Sequence, residues 1–405
     1  MIPLMKNRGA VITGCGVINA IATDFDGFGR AMAEGKTGLA PIDCFATEGL
    51  RNPHACEAKA FDHNAVVQSR GDKRMDRSSS LVLAAFDQAL AMSELDAQSV
   101  DPRRGAVISG STLGGAQTGM AYYRGQRQGH RRPSTLRDYS LHSPGYRICI
   151  ETGFMGPNLV YSTACTSSNL AMATAMDLIR AGRADVVVVA GFDPMSEVSA
   201  AGFSVMRNVS PDLCRPFDKD RQGLVLGEGS AVVIVEAEDF AARRGASPLA
   251  TIRGYGVTSD AHHMTAPDVT AAGPMAAMRN AFEMAGAQTD QLDFICAHGT
   301  GTLHNDAIEA KSLHGVLGNR AADVPAASIK SMVGHTLGAA GTMNIVAALA
   351  ARAQRIIPPT LNFREPELAN PLACAPEARS ATSSLVLSNT LGFGGSNCSV
   401  LVELA

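Results

Sequence analysis

The sequence predicts an α/β fold built from two similar halves. Short β-rich runs alternate with helical stretches along most of the chain. Some of these runs, such as 184–191 (ADVVVVAG), are almost wholly apolar, which is typical of strands that are covered on both faces. Segments of the first part also resemble later segments. That self-similarity indicates a duplicated unit.

The strands and helices follow from local patterns. Runs rich in Val, Ile and small residues predict strands over 9–18, 105–111, 184–191, 229–237, 249–257, 293–299 and 383–389. Helical patterns predict helices over 78–93, 166–182 and 272–286. Two of these helices close on Gly, which is a common helix stop.

Three pairs of segments carry the predicted duplication. VITGCGVI resembles IRGYGVTS, VISGSTLGG resembles ICAHGTGT, and TACTSSNLAMATAMDLIRAG resembles VGHTLGAAGTMNIVAALAAR. Each pair places a polar, Gly-rich loop after a strand or before a helix. We therefore expect one half over 1–245 and a second over 246–405, with these loops meeting between them.

Composition excludes several classes of protein. The chain has 405 residues, of which 46% are hydrophobic and 18% charged, so it can bury a large core and is not expected to be disordered. The formal net charge of −3 argues against a general nucleic-acid binder. No run of about 18 apolar residues occurs, so membrane insertion is not expected. The N-terminus, MIPLMKNRGAVITG, does not read as a signal peptide.

The nine cysteines are scattered without a CxxC or Cys/His ligand spacing, so no metal site is predicted. An odd number of cysteines without a secretion signal fits reduced thiols, and therefore a cytoplasmic protein. Two segments, 70–76 and 122–138, are basic. The second is either a solvated surface segment or a dock for an acidic partner.

Cys165 has unusual neighbours. It stands among small and hydroxylated residues, in YSTACTSSNLAMA, where a strand passes into a helix. A helix N-terminus lowers the pKa of a thiol, so this position predicts an activated nucleophile. The backbone N–H of Cys165 would be left unsatisfied by the helix and free to face an oxyanion.

Three further segments carry candidate chemistry at strand and helix junctions. His298 lies in AHGTGT, Lys330 and His335 lie in SIKSMVGHTLGAAG, and Phe393 lies in NTLGFGGSN. Each residue alone is ambiguous. A cysteine, two histidines, a lysine and a glycine-rich turn in one α/β chain make a much stronger set.

These segments resemble the β-ketoacyl-acyl carrier protein synthases, which are condensing enzymes of the thiolase-fold superfamily. The resemblance runs over nearly the whole chain and includes TACTSS, RPFDKDRQGLVLGEGSAVVIVE, GYGVTSDAHHMTAP, AHGTGT, SIKSMVGHTLGAAG and LGFGGSN. It implies two duplicated halves that form a five-layered α-β-α-β-α core. It also implies a homodimer, or a heterodimer with a related subunit.

The resemblance also implies roles for individual residues. Cys165 would carry the acyl chain as a thioester, and its N–H would form the oxyanion hole with that of Phe393. His298 and His335 would stabilise the enolate that malonyl-acyl carrier protein forms on losing carbon dioxide. Lys330 would tune the two histidines.

Other implied contacts involve acyl carrier protein, whose phosphopantetheine arm would deliver the substrate, with no permanently bound cofactor. Thr300 and Thr302 match residues that bind this arm, and Phe393 would also act as a gate. The remaining implied residues are a carrier-docking patch of Arg70, Lys73 and Arg74 and an acyl pocket of Leu113, Phe203 and Met206.

The chain departs from the family pattern in two places. Many family members have Glu where this chain has Asn344, and that Glu partners the active-site lysine. Glu309 remains a candidate partner for Lys330 here. After HGTGT the family often has Pro, whereas this chain has Leu303 and His304.

Two other functions stay open at this point. A thiolase acting on coenzyme A thioesters would use a second cysteine, and Cys398 follows the glycine-rich turn. A chain-length-factor-like subunit would lack the nucleophile that Cys165 supplies. Among condensing enzymes, the sequence does not separate fatty acid from polyketide or polyene synthesis.

Overall fold

The computed structural model describes residues 8–130, 132–367 and 369–405. Its strands are β1 (Ala10–Asn19), β2 (Ala40–Pro41), β3 (His54–Ala55), β4 (Gly105–Gly110), β5 (Asn158–Tyr161), β6 (Val186–Asp193), β7 (Gly229–Ala237), β8 (Ala250–Ser259), β9 (Phe294–Cys296), β10 (Ala326–Ala327), β11 (Ile356–Ile357), β12 (Arg379–Ser380), β13 (Leu385–Gly392) and β14 (Ser396–Leu404). The first seven residues, part of the N-terminal prediction, lie outside the described residues.

The α-helices are α1 (Phe25–Ala33), α2 (His63–Ser69), α3 (Arg77–Ser93), α4 (Ala116–Arg127), α5 (Ser143–Thr152), α6 (Ser167–Arg180), α7 (Glu197–Val205), α8 (Glu238–Arg243), α9 (Ala272–Ala285), α10 (Leu303–Leu317), α11 (Lys330–Val333) and α12 (Ala340–Gln354). Each predicted strand and helix is present, with ends shifted by a few residues. Within the described part of the chain, no helix has the length and apolar character needed to cross a bilayer.

The main sheet has ten strands in the order β10-β9-β13-β14-β8-β1-β7-β6-β4-β5. It consists of two five-stranded sets, which meet where Ala10, Val11 and Ile12 of β1 pair with residues of β8. Within each set the five strands follow the same spatial order and the same parallel and antiparallel pairings. This shared topology confirms the predicted duplication. The three echoed pairs correspond to β1 and β8, β4 and β9, and α6 and α12.

Helices cover both faces of each five-stranded set. In the central layer, α6 and α12 pack between the two sets, and their small residues, such as Ala171 and Ala347, are fully buried. On one outer side α3 packs on β1 and β7, and on the other α9 packs on β8 and β14. The result is the expected five-layered core. It brings the loops before α6 and α12 to the same region.

Two segments differ from what their sequence pattern indicates. The basic segment 122–138 is partly helical, because α4 runs to Arg127 and a 3-10 turn follows at Pro133–Leu136. No sequence pattern predicts β5, a four-residue strand that pairs with β4 at the edge of the sheet. Its sequence, NLVY, is too short to show a clear period.

Candidate active site

Cys165 lies in a 3-10 turn, Ala164–Thr166, directly before α6. Ala164 adopts a left-handed backbone conformation with φ of 52°. Such a conformation is strained in a residue other than Gly and is usual at functional turns. The turn places the Cys165 thiol in a cavity at the N-terminal end of α6, where the sequence predicts it.

The predicted lowering of the Cys165 pKa is wrong for this structure. Burial raises the pKa of the thiol to about 11, although the charge of Lys330 and the N–H groups of Phe393 and Cys165 act to lower it. Desolvation of the thiolate thus outweighs the helix N-terminus. These same N–H groups face the sulfur, which is the position that an oxyanion hole requires.

His335 contacts the thiol directly. Its Nε2 lies 3.1 Å from the Cys165 Sγ. Its Nδ1 accepts a hydrogen bond from the Leu337 N–H at 3.2 Å. Because Nδ1 is an acceptor, a neutral His335 carries its proton on Nε2 and points that N–H towards the sulfur.

His298 follows β9 and completes the group. Its ring centroid lies 5.3 Å from that of His335, with the ring planes at 81°. Its Nδ1 is buried and has no hydrogen-bond partner among the described residues. The pKa of each histidine lies well below its usual value, chiefly through burial and then through the nearby Lys330 charge. Both imidazoles are therefore neutral near pH 7.

Glu309, the candidate partner of Lys330, makes no direct hydrogen bond to it. The Glu309 carboxylate accepts the N–H groups of His298 and Gly299, each at 2.7 Å. Lys330 instead donates to the His298 carbonyl at 2.5 Å. Burial raises the pKa of Glu309 to about 7 and lowers that of Lys330. Both residues thus fix the backbone of His298, and the influence of Glu309 on Lys330 is electrostatic.

Asn344 occupies the position where many family members have Glu. It is buried in α12, and its amide donates to the carbonyls of Cys296 and Asn389 at 3.4 Å each. Since both partners are carbonyl oxygens, a neutral donor fits this position better than a carboxylate. Asn344 therefore ties α12 to β9 and β13.

A cavity of about 290 Å³ leads from the surface to the thiol. The predicted residues that line it are Cys165, His298, His335, Thr300, Thr302, Phe203, Met206 and Phe393. The rings of Phe203 and Phe393 lie 5.7 Å apart, and the hydroxyls of Thr300 and Thr302 lie 2.9 Å apart. Leu113 does not line this cavity. It packs with Phe203 against an apolar cluster that includes Leu337.

Several lining residues were missed by the sequence analysis. They are polar groups near the mouth, including Asn208, Gln222, His263 and Asn305. They come from four separate segments, and no spacing in the sequence links them. The two departures from the family pattern, Leu303 and His304, also lie at this mouth and are exposed.

The predicted docking residues lie before α3. Arg70 is held by Glu151 at 2.9 Å and by Asp87 at 2.7 Å, so much of its charge is already paired. Lys73 and Arg74 are exposed. Of the three, these two are the more available to an acidic partner.

The three reactive side chains also form a set of potential metal ligands. One ligand atom each of Cys165, His298 and His335 lies within 4.8 Å of the others. Sulfur and imidazole donors suit soft ions such as Zn²⁺. An ion bound here would occupy the thiol and both imidazoles, so it would compete with any chemistry that these groups perform.

Comparison with known families gives consistent matches. Residues 7–241 match the profile described as "Beta-ketoacyl synthase, N-terminal domain". Residues 249–364 match "Beta-ketoacyl synthase, C-terminal domain". Together the two profiles span most of the chain.

Curated relatives match over nearly their full length. Nodulation protein E from Rhizobium sp. (strain N33) is 34% identical over 396 residues, covering 96% of this chain and 98% of the relative. The 3-oxoacyl-[acyl-carrier-protein] synthase 2 of Coxiella burnetii is 32% identical over 410 residues, covering 98% and 99%.

A solved structure described as the ishigamide ketosynthase/chain length factor superposes with a TM-score of 0.91. It is 31% identical to this chain and covers 99% of it and 100% of its own chain. The ketosynthase ApeO in complex with its chain length factor ApeC, from Xenorhabdus doucetiae, gives a TM-score of 0.85. It is 26% identical, with 98% of each chain covered. The fold is thus shared with these solved ketosynthase structures.

Proposed function

Because the chain belongs to the beta-ketoacyl synthase family, an acyltransferase family of condensing enzymes, we propose that it joins a Cys165-bound acyl chain to a malonyl unit. The malonyl unit is carried by acyl carrier protein and loses carbon dioxide in the reaction. The observation that carries this proposal is the contact of the Cys165 thiol with His335, next to His298.

The first step loads the acyl chain. The Cys165 thiolate attacks the acyl thioester carbon, and the tetrahedral oxyanion faces the N–H groups of Cys165 and Phe393. The bond to the phosphopantetheine sulfur breaks, and that thiolate takes up the proton that Cys165 lost to solvent. The His335 Nε2–H supports the small thiolate population, because a donor beside sulfur favours its charged form.

The second step forms the carbon–carbon bond. The thioester carbonyl of the malonyl unit accepts N–H donors from His298 and His335. The carbon–carbon bond to the carboxylate breaks and carbon dioxide leaves. The electron pair of the broken bond stays with the malonyl unit and forms the enolate. The enolate carbon attacks the acyl-Cys165 carbonyl, and collapse of the adduct expels the Cys165 thiolate. Neutral imidazoles suit this task, since they donate without adding charge to a buried site.

The remaining predicted residues fit around these steps. Thr300 and Thr302 bind the phosphopantetheine arm in the cavity, and no permanent cofactor is needed. Phe393 acts as the gate, and its contact with Phe203 is the closed state, since both rings lie where an acyl chain would pass. Lys330 tunes the histidines through its charge.

The residues for carrier docking and for the acyl pocket are assigned from where they lie in the fold. Lys73 and Arg74, with a smaller share from Arg70, meet the acidic carrier protein. Met206 lies at the cavity with Phe203, and Leu113 lies behind Phe203 in the same apolar cluster. The gate would have to open before a chain could reach Leu113.

A partner chain covers the edge of the sheet. β5 is the terminal strand of the ten-stranded sheet, and Leu159 in it is 44% exposed. Ile150 and Met155 nearby are also exposed. An open edge beside apolar side chains is a surface that a second chain can pair with. The occupant is a second copy or a related ketosynthase-like subunit, as in the structures titled with a chain length factor.

Two alternatives are weaker. Cys398, the cysteine that a thiolase reading would need, is buried in β14, and burial raises its pKa to about 12. A non-catalytic partner subunit would not need the contact between the Cys165 thiol and His335.

The pathway is fatty acid, polyketide or polyene synthesis. The two units are 1–245 and 246–405. We place the protein in the reducing cytoplasm, since Cys165 must remain a thiol.

The direct test is a condensation assay. Purified protein is incubated with acyl-acyl carrier protein and malonyl-acyl carrier protein of several chain lengths, with and without a co-expressed ketosynthase-like subunit. We expect carbon dioxide release and a β-ketoacyl-carrier product that is two carbons longer. Release of free acid or of coenzyme A products alone would contradict the proposal.

A further inference from the structure

The duplication gives the Cys165 turn a counterpart in the second half. The 3-10 turn Leu337–Ala339 precedes α12, as Ala164–Thr166 precedes α6. The first residues of the two turns share a left-handed backbone, with φ of 52° at Ala164 and 49° at Leu337. Gly338 therefore occupies the place that corresponds to Cys165.

The strands that face these turns also correspond. β6 and β13 have the same position in their five-stranded sets, and each is eight residues long. β13 ends at Gly392, directly before Phe393, whose N–H faces the Cys165 sulfur. β6 ends at Asp193. The first half thus places a carboxylate beside the counterpart turn of the second half. In the same way, the second half places the Phe393 N–H beside the Cys165 turn of the first half.

The Asp193 carboxylate occupies the space in front of the counterpart turn and is fully hydrogen-bonded there. It accepts the Gly338 N–H at 2.6 Å, the Leu113 N–H at 2.8 Å, the Thr112 N–H at 2.9 Å and the Ser111 hydroxyl at 2.8 Å. All four donors are neutral, and the residue is fully buried. Burial raises the pKa of this carboxylate to about 6, while its hydrogen bonds act to lower it. Near pH 7 it is therefore an internal anion, held where the first half leaves room for a substrate oxyanion.

Resting on the function proposed above, we propose that Asp193 is a positioning residue that fixes His335 in its productive tautomer. It holds the Leu337–Gly338 peptide, and the Leu337 N–H in turn donates to His335 Nδ1. That bond leaves the His335 proton on Nε2, 3.1 Å from the Cys165 sulfur. Asp193 itself touches neither substrate nor thiol.

Two observations support the need for such an anchor. The left-handed conformation of Leu337 costs energy and persists only where neighbouring contacts hold it. Gly338 also approaches the 111–112 loop so closely that a Cβ there would lie 2.6 Å from the Ser111 Cα. Asp193 accepts hydrogen bonds from both of these segments, so it joins the two loops at their closest approach.

The test compares Asp193→Asn with wild type. Asn has the same shape but would turn an NH₂ group towards backbone N–H donors, so the Leu337–Gly338 peptide should shift. We expect malonyl-carrier decarboxylation and condensation to fall about 10- to 100-fold, as for a misplaced catalytic group. Acyl loading of Cys165 should fall much less. The variant weakens the support that the His335 Nε2–H gives to the thiolate, but it also removes the Asp193 charge, which is one of the causes that raise the Cys165 pKa.

The second readout needs no substrate. Nitrogen-15 chemical shifts of His335 should show a protonated Nε2 in wild type and a mixture of tautomers in Asp193→Asn. The control is Glu236→Gln, a buried carboxylate at the opposite end of the β6 and β7 pair, which hydrogen-bonds Thr13 and Arg244. It should lower stability without changing the tautomer or the ratio of the two partial reactions.

Equal loss of loading and decarboxylation in Asp193→Asn, or an unchanged tautomer, would overturn the positioning role. If that variant does not fold, Ser111→Ala removes one donor to the carboxylate, and the same split should appear at smaller amplitude. Equal losses of loading and decarboxylation in Ser111→Ala would also overturn the positioning role. If wild type loads no acyl group, the proposed function fails, while the nitrogen-15 shifts still decide the role of Asp193.

Discussion

The turn before α6 and the turn before α12 share a backbone and differ in what their N–H groups face. At Cys165 they face a cavity that reaches the surface. At Gly338 they face the buried Asp193 carboxylate. A helix N-terminus attracts an anion in either case. The turn before α6 is therefore left open for a transient substrate anion. The turn before α12 is closed by a carboxylate of the protein itself, and it supports the first turn.

The largest expected effect is the loss of condensation when the nucleophile in the turn before α6 is removed. Cys165→Ala should lower condensation by about 10³-fold or more, because no other group can hold the acyl chain. Product formation is measured by mass spectrometry and folding by thermal unfolding.

Cys398→Ala is the matched control, because it also removes a buried thiol. Cys398 lies in β14, a few residues after the gate residue Phe393. The control variant should keep near-normal condensation. Loss of activity in the control, with activity retained in Cys165→Ala, would favour a thiolase-like use of Cys398 and break the comparison.

A second prediction tests whether burial or the helix N-terminus has the larger effect on the pKa of Cys165. With its pKa raised to about 11, the thiol has little thiolate at neutral pH. The rate of alkylation by iodoacetamide should rise about tenfold per pH unit from pH 6 to about pH 10, because only the thiolate reacts. Peptide mass mapping follows Cys165 separately from the other cysteines. A plateau near pH 7 would show that the helix N-terminus dominates instead.

The two halves also differ on the surface before their outer helices. The segment before α3 carries Lys73 and Arg74, whereas the one before α9 carries Asp268 and no Lys or Arg in 258–271. Reversing Lys73 and Arg74 to Glu should raise the KM for acyl carrier protein about tenfold, with a smaller effect at high salt. Turnover of a small acyl thioester should be unchanged.

The control for this charge reversal is Arg30→Glu with Lys36→Glu, an equal change of charge at and just after α1, neither residue lining the cavity. It should leave the KM for the carrier within about twofold. Similar effects of both double variants, or of the first on carrier and small thioester alike, would argue against docking at Lys73 and Arg74.

Much of the fold could be predicted because it depends on local patterns. Buried strands such as β6 read as continuous apolar runs, and the duplication is visible in three pairs of segments. β5 was missed because four residues at a sheet edge carry little pattern. Its position is set by pairing with β4, which is a tertiary contact.

The site residues could be predicted as a set, but their electrostatics could not. Cys165 stands at a helix N-terminus, yet burial, which only the fold determines, raises its pKa. Glu309 was a candidate partner for Lys330, but its oxygens accept two backbone N–H groups instead. Asp193 was overlooked because it ends an apolar strand, and its partners lie in loops 80 or more residues away.

In the proposed reaction, Cys165 carries the acyl chain as a thioester. The most direct measurement is the intact mass of the protein after incubation with a panel of acyl-acyl carrier proteins, with Cys165→Ser in parallel. We expect a mass gain of one acyl group on wild type only, removed by neutral hydroxylamine and mapped to the Cys165 peptide. An adduct on another residue, or none from any carrier even with a related subunit present, would contradict it.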